Sequence, residues 1–295
     1  MSLTRRRFLT LSAAALALPS GARAQSVARW QGVALGAPAT MILAGVTPIA
    51  ARPVFAAIEA ELLRLERIFS LYRDDSALVR LNRDGHIATP PPELLEVLTL
   101  AGTLHAATAG AFDPTVQPLW QALATGSDTA RARAAIGWGQ VGFDTSRVTL
   151  ARPGMGLTLN GIAQGYITDR IADLLAARGF VDVLVDMGEI AARGQRGDGT
   201  GWRAGVATPE GLITQRVTLR DRALATSAPL GTQLAGGVAH ILGSGGRVPT
   251  RRLVSVSAPR AALADGLSTA LCLLDTDETA HALARFQEAR LEATL

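Results

Sequence analysis

The chain has 295 residues and 29 cationic side chains, all of them arginine; it contains no lysine. That excludes a lysine Schiff base and a Walker-type phosphate loop, both of which need the lysine amine. The net charge of +4 belongs to the N-terminus, where Arg5, Arg6, Arg7 and Arg23 stand without an acid. Beyond them arginines and acids are equal in number, so a nucleic-acid partner is not expected.

Arg5-Arg6-Arg7, the apolar run from Phe8 to Leu18 and the small-x-small Ala22-Arg23-Ala24 form an export signal with a cleavage site. Thr4 to Leu9 resembles a twin-arginine address, and the apolar run is too short for a stable transmembrane anchor. Cleavage after Ala24 would leave residues 25–295 as a single domain in the bacterial periplasm. Cys272 is the one cysteine, so no intramolecular disulfide can form.

A short strand pair is expected around Val33 to Ala44. Ile58, Leu62, Leu65 and Phe69 then predict an amphipathic helix over Arg52 to Ser70, and a second runs from Glu93 to about Thr108. Residues 146–159 read as a hairpin turning at Pro153-Gly154. Gly161 to Arg178 is a third helix, stopped by Gly179 and followed by an apolar strand over Val181 to Val185. Alternation from Trp202 to Ser257 predicts several antiparallel strands, and helices over Asp265 to Leu274 and Asp277 to about Arg290 close the chain. Helices clustered between sets of antiparallel strands predict an α+β fold.

Gly137-Trp138-Gly139-Gln140-Val141-Gly142 has a dinucleotide-binding spacing but leads into the predicted hairpin and not a helix, which argues against that use. Four isolated histidines and one cysteine give no zinc spacing. Gly266-Leu267-Ser268-Thr269-Ala270 lacks the last glycine of a serine-hydrolase elbow. Four other segments carry chemistry. Gly110 to Thr115 offers Asp113 and a hydroxyl beside a proline, as a site or as a capped turn. Leu159 to Tyr166 packs small residues at a helix N-terminus, suited to a phosphate or to close helix packing. Asp265 and Thr269 are one helical turn apart, an oxygen pair fit for magnesium unless Asp265 is only a cap. His240 ends a strand before Gly243-Ser244-Gly245-Gly246, where it is either structural or a proton carrier.

In order along the chain, these segments resemble the ApbE family of periplasmic FAD:protein FMN transferases. Phe69-Ser70-Leu71-Tyr72-Arg73-Asp74-Asp75-Ser76, Gly110-Ala111-Phe112-Asp113-Pro114-Thr115-Val116, Asn160-Gly161-Ile162-Ala163-Gln164-Gly165-Tyr166 and Ala264-Asp265-Gly266-Leu267-Ser268-Thr269-Ala270 are similar to its motifs. The resemblance implies a T-fold-like α+β architecture, Mg2+ and FAD as substrate. FMN would pass to a Thr or Ser hydroxyl of a periplasmic client protein, and AMP would leave. It further implies magnesium held by Gly161, Asp265, Ser268 and Thr269, with FAD lined by Leu35, Tyr72, Ala111, Phe112, Asp113, Thr158 and Gln164. His240 and Asp265 would be catalytic, with His240 taking the proton of the attacking hydroxyl.

The sequence also departs from the family pattern. Leu35-Gly36-Ala37 keeps only the glycine of Met-Gly-Thr, Thr158 replaces an Asp and Gln164 a Lys, and a double glycine is reduced to Met187-Gly188-Glu189. H-x-x-D-P has become His240-Ile241-Leu242-Gly243-Ser244. Such a set resembles a specialised branch, for example the one serving nitrous oxide reductase maturation. It also leaves open an FAD-binding accessory protein without turnover, or an enzyme hydrolysing FAD to FMN and AMP.

Overall fold

The computed structural model describes residues 26–295, so the expected export signal and its cleavage site lie outside the described residues. The chain enters through a hairpin, β1 (Val27–Ala34) and β2 (Ala37–Ala44), whose Leu35-Gly36 turn has φ of 47° and 82°. Both turn residues are left-handed, the geometry that matches the twist of the strands it joins. Helix α1 (Pro48–Phe69) starts one turn before the predicted Arg52, because Thr47 Oγ1 accepts from the Ala50 N–H at 3.3 Å and Pro48 fits the first position. The short helix α2 (Ala77–Asp84) follows, capped by Ser76, then β3 (His86–Ala88) and α3 (Pro92–Ala107).

The middle of the chain folds as α4 (Gln117–Thr125), α5 (Thr129–Ala134), β4 (Val141–Phe143), β5 (Arg147–Leu150) and α6 (Asn160–Ala177). Strands β6 (Val183–Asp186), β7 (Ile190–Arg193), β8 (Trp202–Ala207), β9 (Ile213–Leu219), β10 (Arg222–Ser227) and β11 (Val254–Ala258) come next. Helices α7 (Ala261–Leu271) and α8 (Thr276–Ala284) and strand β12 (Arg290–Thr294) end it.

Seven strands form one sheet in the order β1-β2-β6-β7-β10-β11-β12, antiparallel at every step. Alternation along these strands assigns its two faces. Met41, Leu43, Val183, Val185, Ala191, Val254 and Val256 join the main core with the apolar sides of α1, α3, α6 and α7. Ile42, Leu184, Ile190, Ala192 and Leu224 point the other way, where the β8–β9 ribbon covers them with Trp202, Val206, Val217 and Leu219. Both faces are thus dry, and the α+β expectation holds.

Three expectations are corrected. Residues 157–159 do not pair with β5, which lies between β3 and β4 in a three-stranded sheet. Leu157 instead pairs with a side chain: Asn82 Oδ1 accepts its N–H at 2.7 Å, and Asn82 Nδ2 donates to its carbonyl at 2.8 Å. An amide has one donor and one acceptor in the right places to replace a strand partner. Residues 228–253, predicted to continue the strands after β10, form turns and short 3-10 segments. The last helix stops at Ala284, and the chain returns as β12 to cover the edge of β11.

Because Leu157 is fully buried, Asn82→Ala leaves two backbone groups without partners. We expect a loss of roughly 2–4 kcal/mol in urea unfolding, and a smaller loss for Asn82→Asp, which still accepts from the Leu157 N–H.

Candidate functional site

The site grows from the crossing of α6 and α7. A Cβ at Gly165 would collide with the Ala261 carbonyl, and one at Gly161 would come within 2.8 Å of Thr269 Oγ1. Only glycine lets these backbones approach so closely. The crossing is pinned by two carboxylates. Asp169, on α6, accepts from the Ala261 and Ala262 N–H groups at 2.8 and 3.0 Å and so caps α7 from another helix. Asp265, on α7, accepts from the Gly165 N–H at 3.0 Å. Asp265 is therefore not the N-cap of its helix, and it sits in the second turn of α7 because the helix begins at Ala261.

One cavity opens at this crossing. Asn160, Gly161 and Gln164 from α6 and Asp265 and Thr269 from α7 line it, with Thr226 and Ser227 from the end of β10. The 111–114 turn and His240 are also in its wall. That turn is tied down on several sides. His105 Nδ1 donates to the Phe112 carbonyl at 2.9 Å, Thr108 Oγ1 accepts from the Phe112 N–H at 3.0 Å, and Thr158 N–H donates to the Pro114 carbonyl at 2.8 Å. Asp113 Oδ1 accepts from both the N–H (2.9 Å) and the hydroxyl (2.6 Å) of Thr115.

Asp265 is 3% exposed, and burial, reinforced by nearby Asp169, pushes its carboxyl up to about 7 against the single hydrogen bond from Gly165. Glu189, just before β7, is the acid that sequence reasoning missed. It lines the same cavity, accepts from the Thr226 N–H at 3.2 Å, and is raised well above the usual range by burial and by the charges of Asp265 and Asp186. Its signal was the Met187-Gly188 turn: Gly188 has φ of 104°, so the glycine kept is the one the turn needs, while Met187 is buried in the core.

Ser268 is fully buried and does not line the cavity; its Oγ donates to the Asp265 carbonyl at 3.0 Å. Ser227 Oγ lies 2.8 Å from Ser268 Oγ and 3.3 Å from Thr269 Oγ1, so the wall hydroxyls beside Asp265 on this side are those of Ser227 and Thr269. Ser227 was not singled out in the sequence. The carboxylate, the hydroxyls and the Gly161 carbonyl are hard oxygen donors. A buried carboxyl resisting ionisation beside them is a place where a divalent cation fits.

His240 Nδ1 lies 2.8 Å from the Pro229 carbonyl and 3.1 Å from that of Thr232, so it carries a proton and donates it. Burial lowers the ring below its ordinary value, which leaves Nε2 as a free lone pair at neutral pH. The altered motif beyond it has a structural reason. A side chain at Gly243 would collide with Arg247, and Ser244 Oγ donates to the Gly110 carbonyl at 2.9 Å, joining the His240 loop to the 111–114 turn.

Of the residues expected around FAD, Ala111, Phe112, Asp113, Thr158 and Gln164 share this cavity. Leu35 packs against the main core, with its N–H donating to Glu66 at 3.0 Å, and Ala37 is the residue of that hairpin in the cavity wall. Tyr72 lies outside the cavity and is 67% exposed.

A helix-backed antiparallel sheet with hard oxygen donors and a neutral histidine in one cavity defines a class of site that could hold a cation beside a proton acceptor. The model of the ApbE family matches residues 35–295, and the chain belongs to that family. The FAD:protein FMN transferase of Klebsiella pneumoniae is 29% identical, over 79% of this chain and 75% of that protein. Among solved structures, the flavinyl transferase ApbE of Pseudomonas stutzeri in its apo form is 28% identical, with a TM-score of 0.75 over 88% of this chain and 90% of that one. The flavin transferase ApbE of Vibrio cholerae is 25% identical, with a TM-score of 0.77 over 88% of this chain and 91% of that one.

Asp169→Ala removes the acceptor that holds the first N–H groups of α7. The expected result is a loss of roughly 2–3 kcal/mol in urea unfolding, together with faster amide exchange at Ala261 and Ala262. Asp169→Asn, which keeps one acceptor oxygen, should lose less.

Proposed function

We propose that the chain transfers FMN from FAD to a threonine or serine hydroxyl of a client protein. The reaction uses magnesium, releases AMP, and takes place in the bacterial periplasm after export by the twin-arginine route. The observation that carries this reading is the meeting of Asp265, Thr269, Gly161 and His240 in one cavity, in a chain whose named relatives are FAD:protein FMN transferases. The Arg5-Arg6-Arg7 signal supports the location.

The client hydroxyl attacks the phosphorus of the FMN half, a new P–O bond forms, and the bond to the bridging oxygen breaks. AMP leaves with that electron pair, and the hydroxyl proton passes to His240 Nε2. The Pro229 and Thr232 carbonyls hold the ring in the tautomer that can accept it. Asp265, Thr269 and the Gly161 carbonyl would hold a magnesium ion, and Ser268 would act through Ser227. Such an ion would supply positive charge against the pyrophosphate. Phe112 and Trp120 give the cavity an aromatic wall for the ring systems of the dinucleotide.

The direct test is to incubate the protein with FAD, magnesium and a purified client domain carrying an acceptor threonine, then to follow AMP by chromatography and flavin fluorescence on the denatured client. Equal amounts of AMP and covalent flavin are expected. AMP with free FMN and an unmodified client would favour hydrolysis, and FAD binding with neither product would favour an accessory protein.

Asp265→Ala should lower kcat/KM for transfer at least about a hundredfold, because the cation loses the one carboxylate in its proposed set. Unchanged magnesium dependence in that variant would overturn the assignment. For His240 the active form is the neutral base, present above a folded pKa that lies below 6.5. At saturating magnesium, which keeps Asp265 ionised, the rate should be flat through neutral pH and fall in acid below that value, and His240→Gln should lower kcat about a hundredfold or more and remove the acid limb.

A further inference from the structure

The cavity that would receive a pyrophosphate has three acids in its wall, Asp113, Glu189 and Asp265, and none of the described arginines. Its one basic group is His240, which burial keeps neutral at pH 7. Gln164, in the first turns of α6 and in the same wall as Gly161, presents an amide with no charge. Free FAD carries negative charge on its pyrophosphate, and no side chain here offers a positive charge to offset it. Backbone dipoles at the start of α6 are only partial charges, and the acids of the wall, even where burial keeps them from ionising, add no positive charge to them.

We propose that this chain takes FAD only as its divalent-cation complex, and that Gln164 is the residue that leaves the coupling to the cation. The inference rests on FAD being the ligand of this cavity. Cation and dinucleotide then raise each other's affinity by the same factor, as linkage requires. After transfer, AMP has no cationic side chain to hold it, so the same feature favours release of the product.

FAD binding to the metal-stripped protein can be measured by flavin fluorescence and calorimetry, with EDTA or with millimolar magnesium and no client present. The expected Kd in EDTA is at least about tenfold weaker than with magnesium. Gln164→Lys should bring the two values within about threefold of each other, and Gln164→Met should keep the wild-type ratio. If Gln164→Lys fails to fold by circular dichroism, Asn160→Lys places the same charge on the exposed part of that wall. Equal affinities in EDTA and magnesium for the wild type would overturn the proposal while leaving the flavin reading intact. A lysine variant that folds and keeps the full dependence would overturn the role of Gln164. No saturable FAD binding in either buffer would overturn the flavin reading itself, and this proposal with it.

Discussion

The close crossing of α6 and α7 is the constraint on which the rest of the structure depends. Glycines at 161 and 165 let the two backbones meet, Asp169 fixes where α7 begins, and Asp265 returns a hydrogen bond to Gly165. The reciprocal pair sets the rotation of α7 about its axis. That rotation places Asp265 and Thr269 in the cavity wall and keeps Ser268 buried behind them. Placement by two buried carboxylates is more exact than placement by loops, because each must satisfy donors in a dry interior or pay its desolvation.

The second layer of control comes from irregular chain. Residues 228–253 carry His240 with a single β-bridge, Gln233 to Ala239, as their strand-type pairing, and backbone carbonyls orient the ring in place of a partner acid. Ser244 ties this loop to the Gly110 turn, so the histidine and the Asp113 side of the cavity are held as one unit. The altered sequence after His240 thus has a structural role in this chain.

Much of this was legible in the sequence, for identifiable reasons. The glycine spacing at 161 and 165 and the Asp265–Thr269 pair are local patterns, and the structure brings Gly161, Asp265 and Thr269 together in one cavity. Asp113 was legible as a turn acid, and it caps the 3-10 turn at Pro114–Val116. What escaped was non-local. The register of α7 depends on Asp169, far away in sequence. The misplaced hairpin at 146–159 depends on Asn82, which occupies the position of a strand. Glu189 and Ser227 stand at strand ends; the Met187-Gly188 turn was the one local mark of Glu189, and nothing in the spacing of its neighbours marks Ser227. Short helices such as α2, α4 and α5 carry too few apolar repeats to show a period, and tertiary packing decides them.

The missing lysine gains a physical meaning in this setting. Among the described residues the cavity wall carries acids and no cationic side chain, so on the proposed reading phosphate chemistry there would depend on a bound cation and on helix N–H groups. The most direct measurement of this account is a crystal structure of the protein with FAD and magnesium. It predicts the pyrophosphate beside Gly161 and Gln164, a cation coordinated by Asp265 and Thr269, and His240 Nε2 facing the phosphorus of the FMN half. Phosphates bound outside this cavity, against surface arginines, with Asp265 and Thr269 uncoordinated, would contradict it.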